Sequence, residues 1–575
     1  MEAYKLLPYG MSDFIQVRKD NMYYEDKSMF IPLMEHISHF LFFVRPRRFG
    51  KSIFLSMLRA YYDINEHNNF DTLFSGLYIH NHPTPECGQY QILYLDFSQV
   101  IGNSHTVQQS FEQYGCNQLD LFAQIYSRFY KEGFVEEVKK RNTFASKLTW
   151  IIGNGRQSGC NYYLIVDEYD NFTNNILNEE GTEMYRSLTH ASGFYRGIFK
   201  LFKPNFNRIL MMGVSPVTLD DLTSGYNIAT NITTRPEFNQ ALGFSEKEVR
   251  HMIEYYRQYG LIKDNTDKII GDMKPWYDNY CFAEESFDRE PSMFNCDMVI
   301  YYLNYLIQTG KPPKNHIDPN TKTDYAKLRK LVLLDKTGTY SKSILEKIVE
   351  DGYIYNYIKE SFPAEHIFDT DNFISLLYYY GMLTILGTRG ALLKLGIPNN
   401  NIRKQYYQYL MDEYKRISHV DTYDLNMAFY SAAYDGDWRP MIDKITDDYH
   451  ANTSVRSLIQ GERNLQGFME AFLSLNPYYL TAPEVEMNHG YCDFFMLPDK
   501  LRYPDVSHSY ILELKYVKAN ATESEILKQW NDAVVQIQGY ARGKTVQQLA
   551  KNTLLHLIIV QIKGSERYRA EEIKQ

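Results

Sequence analysis

Phe40-Leu-Phe-Phe-Val-Arg-Pro-Arg-Arg-Phe-Gly-Lys-Ser52 is an apolar run that breaks into a basic loop and ends in Gly50-Lys51-Ser52. The residues that follow, Ile53-Phe-Leu-Ser-Met-Leu58, carry apolar side chains at helical spacing. Strand, loop and helix in that order make a phosphate cradle, because backbone N–H groups at a helix start point at an anion. In such a loop Lys51 reaches the β- and γ-phosphates and the Ser52 hydroxyl ligates Mg²⁺. The pattern G-x-x-x-x-G-K-[ST] would put its first glycine at position 45, which is Arg45. Pro46 stiffens the turn where glycine would relax it. Arg47 and Arg48 add positive charge beside the phosphates, or else face solvent or an acidic neighbour. Arg47, Arg48, Phe49, Gly50, Lys51 and Ser52 are therefore the candidate nucleotide-binding residues of the loop.

The second half of such a site lies in Asn161-Tyr-Tyr-Leu-Ile-Val-Asp-Glu168. Tyr162 to Val166 is a continuous apolar run, as in a strand buried on both faces, and two adjacent carboxylates at its end call for a cation. Asp167 is expected to hold Mg²⁺ through water and Glu168 to polarise the attacking water, unless both are solvated surface acids. Gln91-Ile-Leu-Tyr-Leu-Asp-Phe97 is a further strand-like run between the two motifs, as in P-loop folds with an additional central strand. Arg208-Ile-Leu-Met-Met-Gly-Val-Ser215 is a fourth, and Ser215 falls where a γ-phosphate sensor would sit.

A chain of 575 residues has room for three to four domains. Its apolar fraction of 44% supports packed cores, and a net charge of -9 argues against non-specific polyanion binding by the whole molecule. Fifty tyrosines, spread along the chain, reflect composition rather than an aromatic nucleic-acid platform. Six cysteines without C-x-x-C spacing read as free thiols, and the N-terminus lacks the apolar region of a signal peptide. With no run long enough to span a bilayer, a cytoplasmic protein without membrane contact is expected. The histidines form no zinc pattern.

Residues 1–235 alternate strand and helix, as an α/β P-loop domain does. Residues 236–450 form a helical middle region that opens with a helix over 245–259, capped by Ser245 with Glu248 three residues on. Gly310 to Thr321 is rich in turn formers. From 451 to 575 the order is helix, three strands, helix and strand, which matches a compact α/β nuclease core. Its chemistry rests on Asp493 and on Glu513-Leu-Lys515. Alternation puts Glu513 and Lys515 on one strand face, and if the strands are neighbours Asp493 and Glu513 share a Mg²⁺ while Lys515 orients water. Asn488-His-Gly490 is the expected turn before the strand of Asp493. Glu462 on the preceding helix would add a carboxylate, and Gln536 on the following helix would bond the nucleic-acid backbone or the Lys515 region. The proline of the P-D motif is absent, since Cys492 precedes Asp493. The segment carries equal numbers of acidic and basic residues, so composition marks no DNA groove.

The chain resembles a bacterial family, common in gut Bacteroidetes, that joins an AAA-ATPase-like domain to a C-terminal PD-(D/E)XK nuclease-superfamily domain with a restriction-endonuclease-like α/β fold. The resemblance is carried by Leu7-Pro-Tyr-Gly-Met-Ser-Asp-Phe14, Tyr24-Glu-Asp-Lys27 and Arg45-Pro-Arg-Arg-Phe-Gly-Lys-Ser52. It continues through Asp167-Glu168, Gly213-Val-Ser215 with Ser224-Gly225, Trp276-Tyr-Asp-Asn-Tyr-Cys-Phe282, and the set Glu462, Asp493, Glu513 and Lys515. It makes the missing first glycine a family trait. It implies ATP and Mg²⁺ as cofactors, nucleic acid as partner, and an ATP-binding switch coupled to a nuclease. Two alternatives stand beside it: a signalling or scaffold protein whose nuclease-like fold only binds, and a protein that holds ATP as a structural ligand. Arg235 would be an arginine finger in a homo-oligomer, or a surface residue.

Overall fold

The computed structural model describes residues 4–574 except 190–192, 218–228, 291, 314, 319–339, 364–365, 368, 418–421, 452–461, 474, 488–489, 501 and 565. The chain divides into two compact units, Met1–Lys311 with Asn315–Ile344 and Tyr353–Asn400, and Pro312–Lys314 with Leu345–Gly352 and Asn401–Gln575. The six cysteines form no disulfide.

The first unit is built on a five-stranded sheet: β1 (Phe40–Val44), β2 (Gln91–Asp96), β3 (Tyr162–Asp167), β4 (Arg208–Gly213) and β5 (Thr230–Asn231), in the order β2-β3-β4-β1-β5. Every pairing is parallel. All residues of β3 and β4 are buried, which is why both read as unbroken apolar runs. The strand between the loop-bearing β1 and the acid-bearing β3 is β4. The run Gln91–Asp96, although it falls between the two motifs in the chain, is an edge strand. β1 feeds the loop 45–50 and then the helix Lys51–Tyr62. Gly50, at φ 83°, is its N-cap in a left-handed conformation that a side chain would strain.

The short strands β6 (Phe244–Ser245) and β7 (Met293–Phe294) pair antiparallel. The helix Glu246–Gln258 starts on the expected capping box, with Ser245 and Glu248 bonded reciprocally. It packs with the helices Thr266–Tyr277 and Cys296–Thr309 around Val249, Met252, Tyr256, Met273 and Val299. The middle region also holds a small antiparallel sheet, β8 (Tyr353–Asn356), β9 (Thr384–Arg389) and β10 (Leu392–Gly396), in the order β8-β10-β9. Its short, half-polar strands give no long apolar run, so helical periodicity dominates that stretch of sequence.

The second unit carries β11 (Tyr479–Met487), β12 (Gly490–Pro498), β13 (His508–Val517), β14 (Leu554–Lys563) and β15 (Glu566–Glu572), in chain order across the sheet. Only β13 and β14 pair in parallel, so the chain must cross over between them, and the helix Glu523–Ala541 makes that crossover. Four strands match the expected set. The fifth, β15, was not expected, since its charged sequence Glu-Arg-Tyr-Arg-Ala-Glu-Glu is that of a solvated edge. The helices Thr422–Tyr434 and Arg439–Ala451 belong to this unit. Tyr479 and Tyr510 both donate their hydroxyls to the carbonyl of Ala432, at 3.2 and 2.6 Å, and Trp438 Nε1 donates to Glu572 at 3.1 Å.

Candidate nucleotide and metal sites

Parallel pairing of β1, β4 and β3 in near-level register brings the loop after Val44 and the acids after Val166 to one edge of the sheet. There the Ser52 hydroxyl donates to Asp167 Oδ2 at 3.0 Å, and the Tyr94 hydroxyl donates to the same oxygen at 3.0 Å. Lys51 is 7% exposed, and its ammonium donates to the carbonyls of Pro46 at 2.9 Å and Arg45 at 3.2 Å. Burial lowers the Lys51 pKa, and the carboxylates of Asp167 and Glu168 oppose that shift. Burial likewise raises Asp167, against the pull of Lys51. A buried ammonium, a hydroxyl and a carboxylate thus meet in one cluster, the donor set that suits a phosphate with its divalent ion.

Two side-chain-bearing residues of this cluster have left-handed backbones, Arg48 at φ 68° and Glu168 at φ 48°. Such conformations persist only where the surroundings impose them. Glu168 is held by a hydrogen bond from Asn171. Arg48 faces Asp297 at 3.7 Å, so the acidic-neighbour alternative describes it. The carbonyl of Arg47 accepts from Asn295 at 3.5 Å. Phe49 turns its side chain into an aromatic core with Tyr280 and Phe282, which leaves its backbone, not its ring, for the loop. Ser215 is buried, and its N–H donates to Asp170 at 2.7 Å. Arg235 is half-buried ahead of a short helical turn, and Ser224-Gly225 lie outside the described residues.

Arg45 has a role that its position in the motif conceals. Its guanidinium is buried and donates to the carbonyls of Val44 (3.0 Å), Thr233 (2.6 Å) and Phe238 (2.8 Å), between the rings of Phe43 and Phe282. Burial pushes its pKa down to about 10. It fastens the loop to the core, so the missing glycine is replaced by a bolt.

Residues missed from sequence complete the site. Asp170, 2% exposed, binds the N–H groups of Val214 and Ser215 and the amide of Asn174, and so ties β3 to the end of β4. The run Asp167-Glu-Tyr-Asp170 contained it, but its partners Val214 and Ser215 are 44 and 45 residues away. Beside Gly50 a largely apolar pocket is lined by Leu7, Pro8, Tyr23, Ile53, Leu242 and Phe244, with Glu25 and Lys27 at its wall. Lys27 donates to Glu248 at 2.7 Å and to the carbonyl of Gln240 at 3.0 Å. Burial, with Glu248 close by, raises the Glu25 pKa to about 7.

In the second unit Asp493 stands one place beyond the paired residues Phe494 and Leu512, hence opposite Glu513. Its Oδ2 accepts the N–H of Leu514 at 2.6 Å. Lys515 Nζ lies 2.8 Å from Glu513 Oε1, and Glu513 is 1% exposed. Glu513 and Lys515 thus form an ion pair, and Asp493 is bonded to the backbone of the residue between them. Gln536 donates to the Tyr540 hydroxyl, and Tyr540 feels the charges of Glu513 and Asp493. Tyr540, one helical turn after Gln536, is thus a neighbour of these carboxylates that the sequence does not mark. Cys492, in place of the motif's proline, packs in the core with Phe495, Ile511 and Trp530. Glu462 opens the helix Glu462–Leu473, whose preceding residues, like the turn residues 488–489, lie outside the described set. Among the described residues no group of three or more His, Cys, Asp or Glu side chains forms a ready metal cage. No described helix is long and apolar enough to cross a membrane.

Residues 8–223 match the family model of a predicted AAA-ATPase, and residues 460–572 match that of the PD-(D/E)XK nuclease superfamily. A curated relative, an uncharacterised protein in the vnfD 5' region of Azotobacter chroococcum mcd 1, is 24% identical over 312 residues, 54% of this chain. The match spans about half, 55%, of that protein's length. The ORC1 protein of Aeropyrum pernix, solved in complex with DNA, aligns over 71% of this chain and 94% of its own at 9% identity. The TM-score of 0.25 is too low for that likeness to inform fold or function.

Proposed function

We propose, for a chain that joins an AAA-ATPase-like domain to a domain of the PD-(D/E)XK nuclease superfamily, that nucleoside triphosphate binding in the first unit controls phosphodiester cleavage of nucleic acid by the second. The observation that carries the reading is the meeting of loop and acid strand, with Ser52 bonded to Asp167 and the buried Lys51 amine beside them. Lys51 and the N–H groups after Gly50 hold the phosphates, and Ser52 and Asp167 supply oxygens for Mg²⁺. Glu168 orients water, and the apolar pocket beside Gly50 receives the base. In the second unit Asp493 and Glu513 supply the metal's oxygens, with Lys515 placed to hold the attacking water and offset charge at phosphorus. A divalent ion, when bound, contributes charge neutralisation and a more acidic water at each place.

The test is cleavage of single- and double-stranded DNA and RNA by the full chain, with and without ATP and Mg²⁺ or Mn²⁺. Lys51→Ala is expected to weaken ATP binding about tenfold to a hundredfold, the range of one or more lost charge-assisted bonds. Asp493→Asn is expected to abolish cleavage while ATP affinity stays at the wild-type value. If the wild type cuts none of these substrates yet binds ATP, the second unit is a non-cleaving binder.

A further inference from the structure

The small sheet β8-β10-β9 of the first unit has one dry face and one open face. Ile354, Asn356, Ile385, Leu393 and Leu395 are buried, so alternation and cross-strand pairing put Tyr353, Tyr355, Lys394 and Arg389 on the other side. Tyr353 and Tyr355 are half-exposed, and Tyr357, one residue past β8, is 52% exposed. Lys394 pairs with Tyr355 across the strands, and its ammonium stands 4.1 Å from the centre of the Tyr353 ring. The Arg389 guanidinium lies over the Tyr355 ring at 5.7 Å. Among the described residues neither cation forms an ion pair with a carboxylate. Gly396 opposite Tyr353 and Gly387 opposite Lys394 place no side chain over the rings. The chain spreads its tyrosines along its whole length, and the pleat gathers these on one surface with two cations.

We infer that this open face is a docking site for a single strand of nucleic acid, whose bases stack on Tyr353, Tyr355 and Tyr357 and whose phosphates meet Lys394 and Arg389. Charge decides the class of partner. Two cations held by ring faces in place of carboxylates, on a chain of net charge -9, call for an anion that also brings flat rings. A phosphate oxygen offers each cation a charge-assisted bond, stronger than its hold on an exposed ring, and so uncovers the ring for a base. The centroids of Tyr353 and Tyr355 are 5.4 Å apart and their planes cross at 74°. That spacing exceeds the roughly 3.4 Å step of a stacked strand, so the rings suit bases that are splayed apart. In a duplex the base faces are closed to such rings. Base faces and phosphates are common to DNA and RNA, so the surface takes a strand of either sugar. None of these residues belongs to the triphosphate or cleavage site, so the inference stands apart from both.

Fluorescence anisotropy of the full chain with short labelled oligothymidylate and oligouridylate strands, in EDTA so that nothing is cut, tests this. Tyr355→Ala is expected to weaken binding of both strands at least about fivefold, the worth of one stacked base. Lys394→Gln combined with Arg389→Gln is expected to flatten the slope of log affinity against log salt by about 1.4, the share of two phosphates on a single strand. Neither change is expected to alter affinity for the duplex of oligothymidylate with oligodeoxyadenylate. The inference is overturned if the wild type binds neither strand, if the variants bind them as tightly as the wild type does, or if duplex affinity falls in parallel. A wild type that binds no strand but dimerises, and loses the dimer in Tyr357→Ala, makes the face an interface between copies and overturns it too. Should Tyr355→Ala fail to fold, Tyr357→Ala, at the most exposed of the three rings, takes its place with the same threshold. A chain that cuts nothing can pass this test, and one that cuts can fail it.

Discussion

At the scale of single residues, what a side chain touches decides more than its place in a motif. Arg45 occupies the position of a loop glycine yet satisfies three buried carbonyls. Restoring the motif with Arg45→Gly is therefore expected to lower stability by about 3 kcal/mol or more, since orphaned buried acceptors cost about 1–3 kcal/mol each. A fall of several degrees in the thermal midpoint would report it, and an unchanged midpoint would refute the bolt. Glu25 makes a prediction in pH. Burial, Glu248 and Asp26 raise its pKa from 4.5 to about 7, against the Tyr23 hydroxyl and Lys27. Its contribution to stability is full below about pH 4.5 and is lost as pH rises through 7. The thermal midpoint of the wild type should therefore fall relative to Glu25→Gln between pH 5 and 7.5; parallel curves would contradict this. Lys51 and Ser52, and separately Asp167, were legible because each sits in a motif of adjacent residues, Gly50-Lys51-Ser52 in one and an apolar run ending in Asp167-Glu168 in the other. The roles of Tyr94, Asp170 and Arg45 were not, because their bonds to Asp167, to Val214 and Ser215, and to Thr233 and Phe238 join segments far apart in the chain.

Among elements, β4 is the one on which the site's geometry turns. It separates the loop strand from the acid strand, and Gly213 at its end leaves room for Asp170. A Cβ on Gly213 would come within 2.4 Å of Asp170 Oδ1 and 2.6 Å of the Tyr169 ring. Gly213→Ala is expected to lower the thermal midpoint and to weaken ATP binding together, by displacing the carboxylate that holds the Val214 and Ser215 N–H groups. Gly153→Ala makes the opposite prediction. It lies in the helix Phe144–Gln157 with nothing within 4 Å of a new Cβ, and should stabilise by about 0.5–1 kcal/mol. Melting curves showing the same sign for both would undo the argument. The strands β1 to β4 were readable because each is an apolar run, whereas their order across the sheet was not, since parallel pairing carries no turn signal between neighbours.

For the whole molecule, the compact unit that holds the acid pair Asp493 and Glu513 takes in helices well upstream of residue 451. Ala432 accepts hydrogen bonds from the buried Tyr479 and Tyr510, and Trp438 binds Glu572. A fragment 451–575 is expected to lack a cooperative thermal transition that 401–575 retains, as near-ultraviolet circular dichroism would record. A cooperative melt of the shorter fragment would show those helices dispensable. The sequence alone determined the two kinds of layer, the loop Gly50-Lys51-Ser52, the acids at 167 and 168, and the strand carrying Glu513 and Lys515, because periodicity and adjacent residues encode what is local in the chain. The tertiary structure alone decided that Asp493 stands opposite Glu513, that Arg45 is a core residue, and that Asp170 accepts the N–H groups of Val214 and Ser215, because strand register and buried hydrogen bonds join residues whose separation in the chain bears no relation to their distance in the fold.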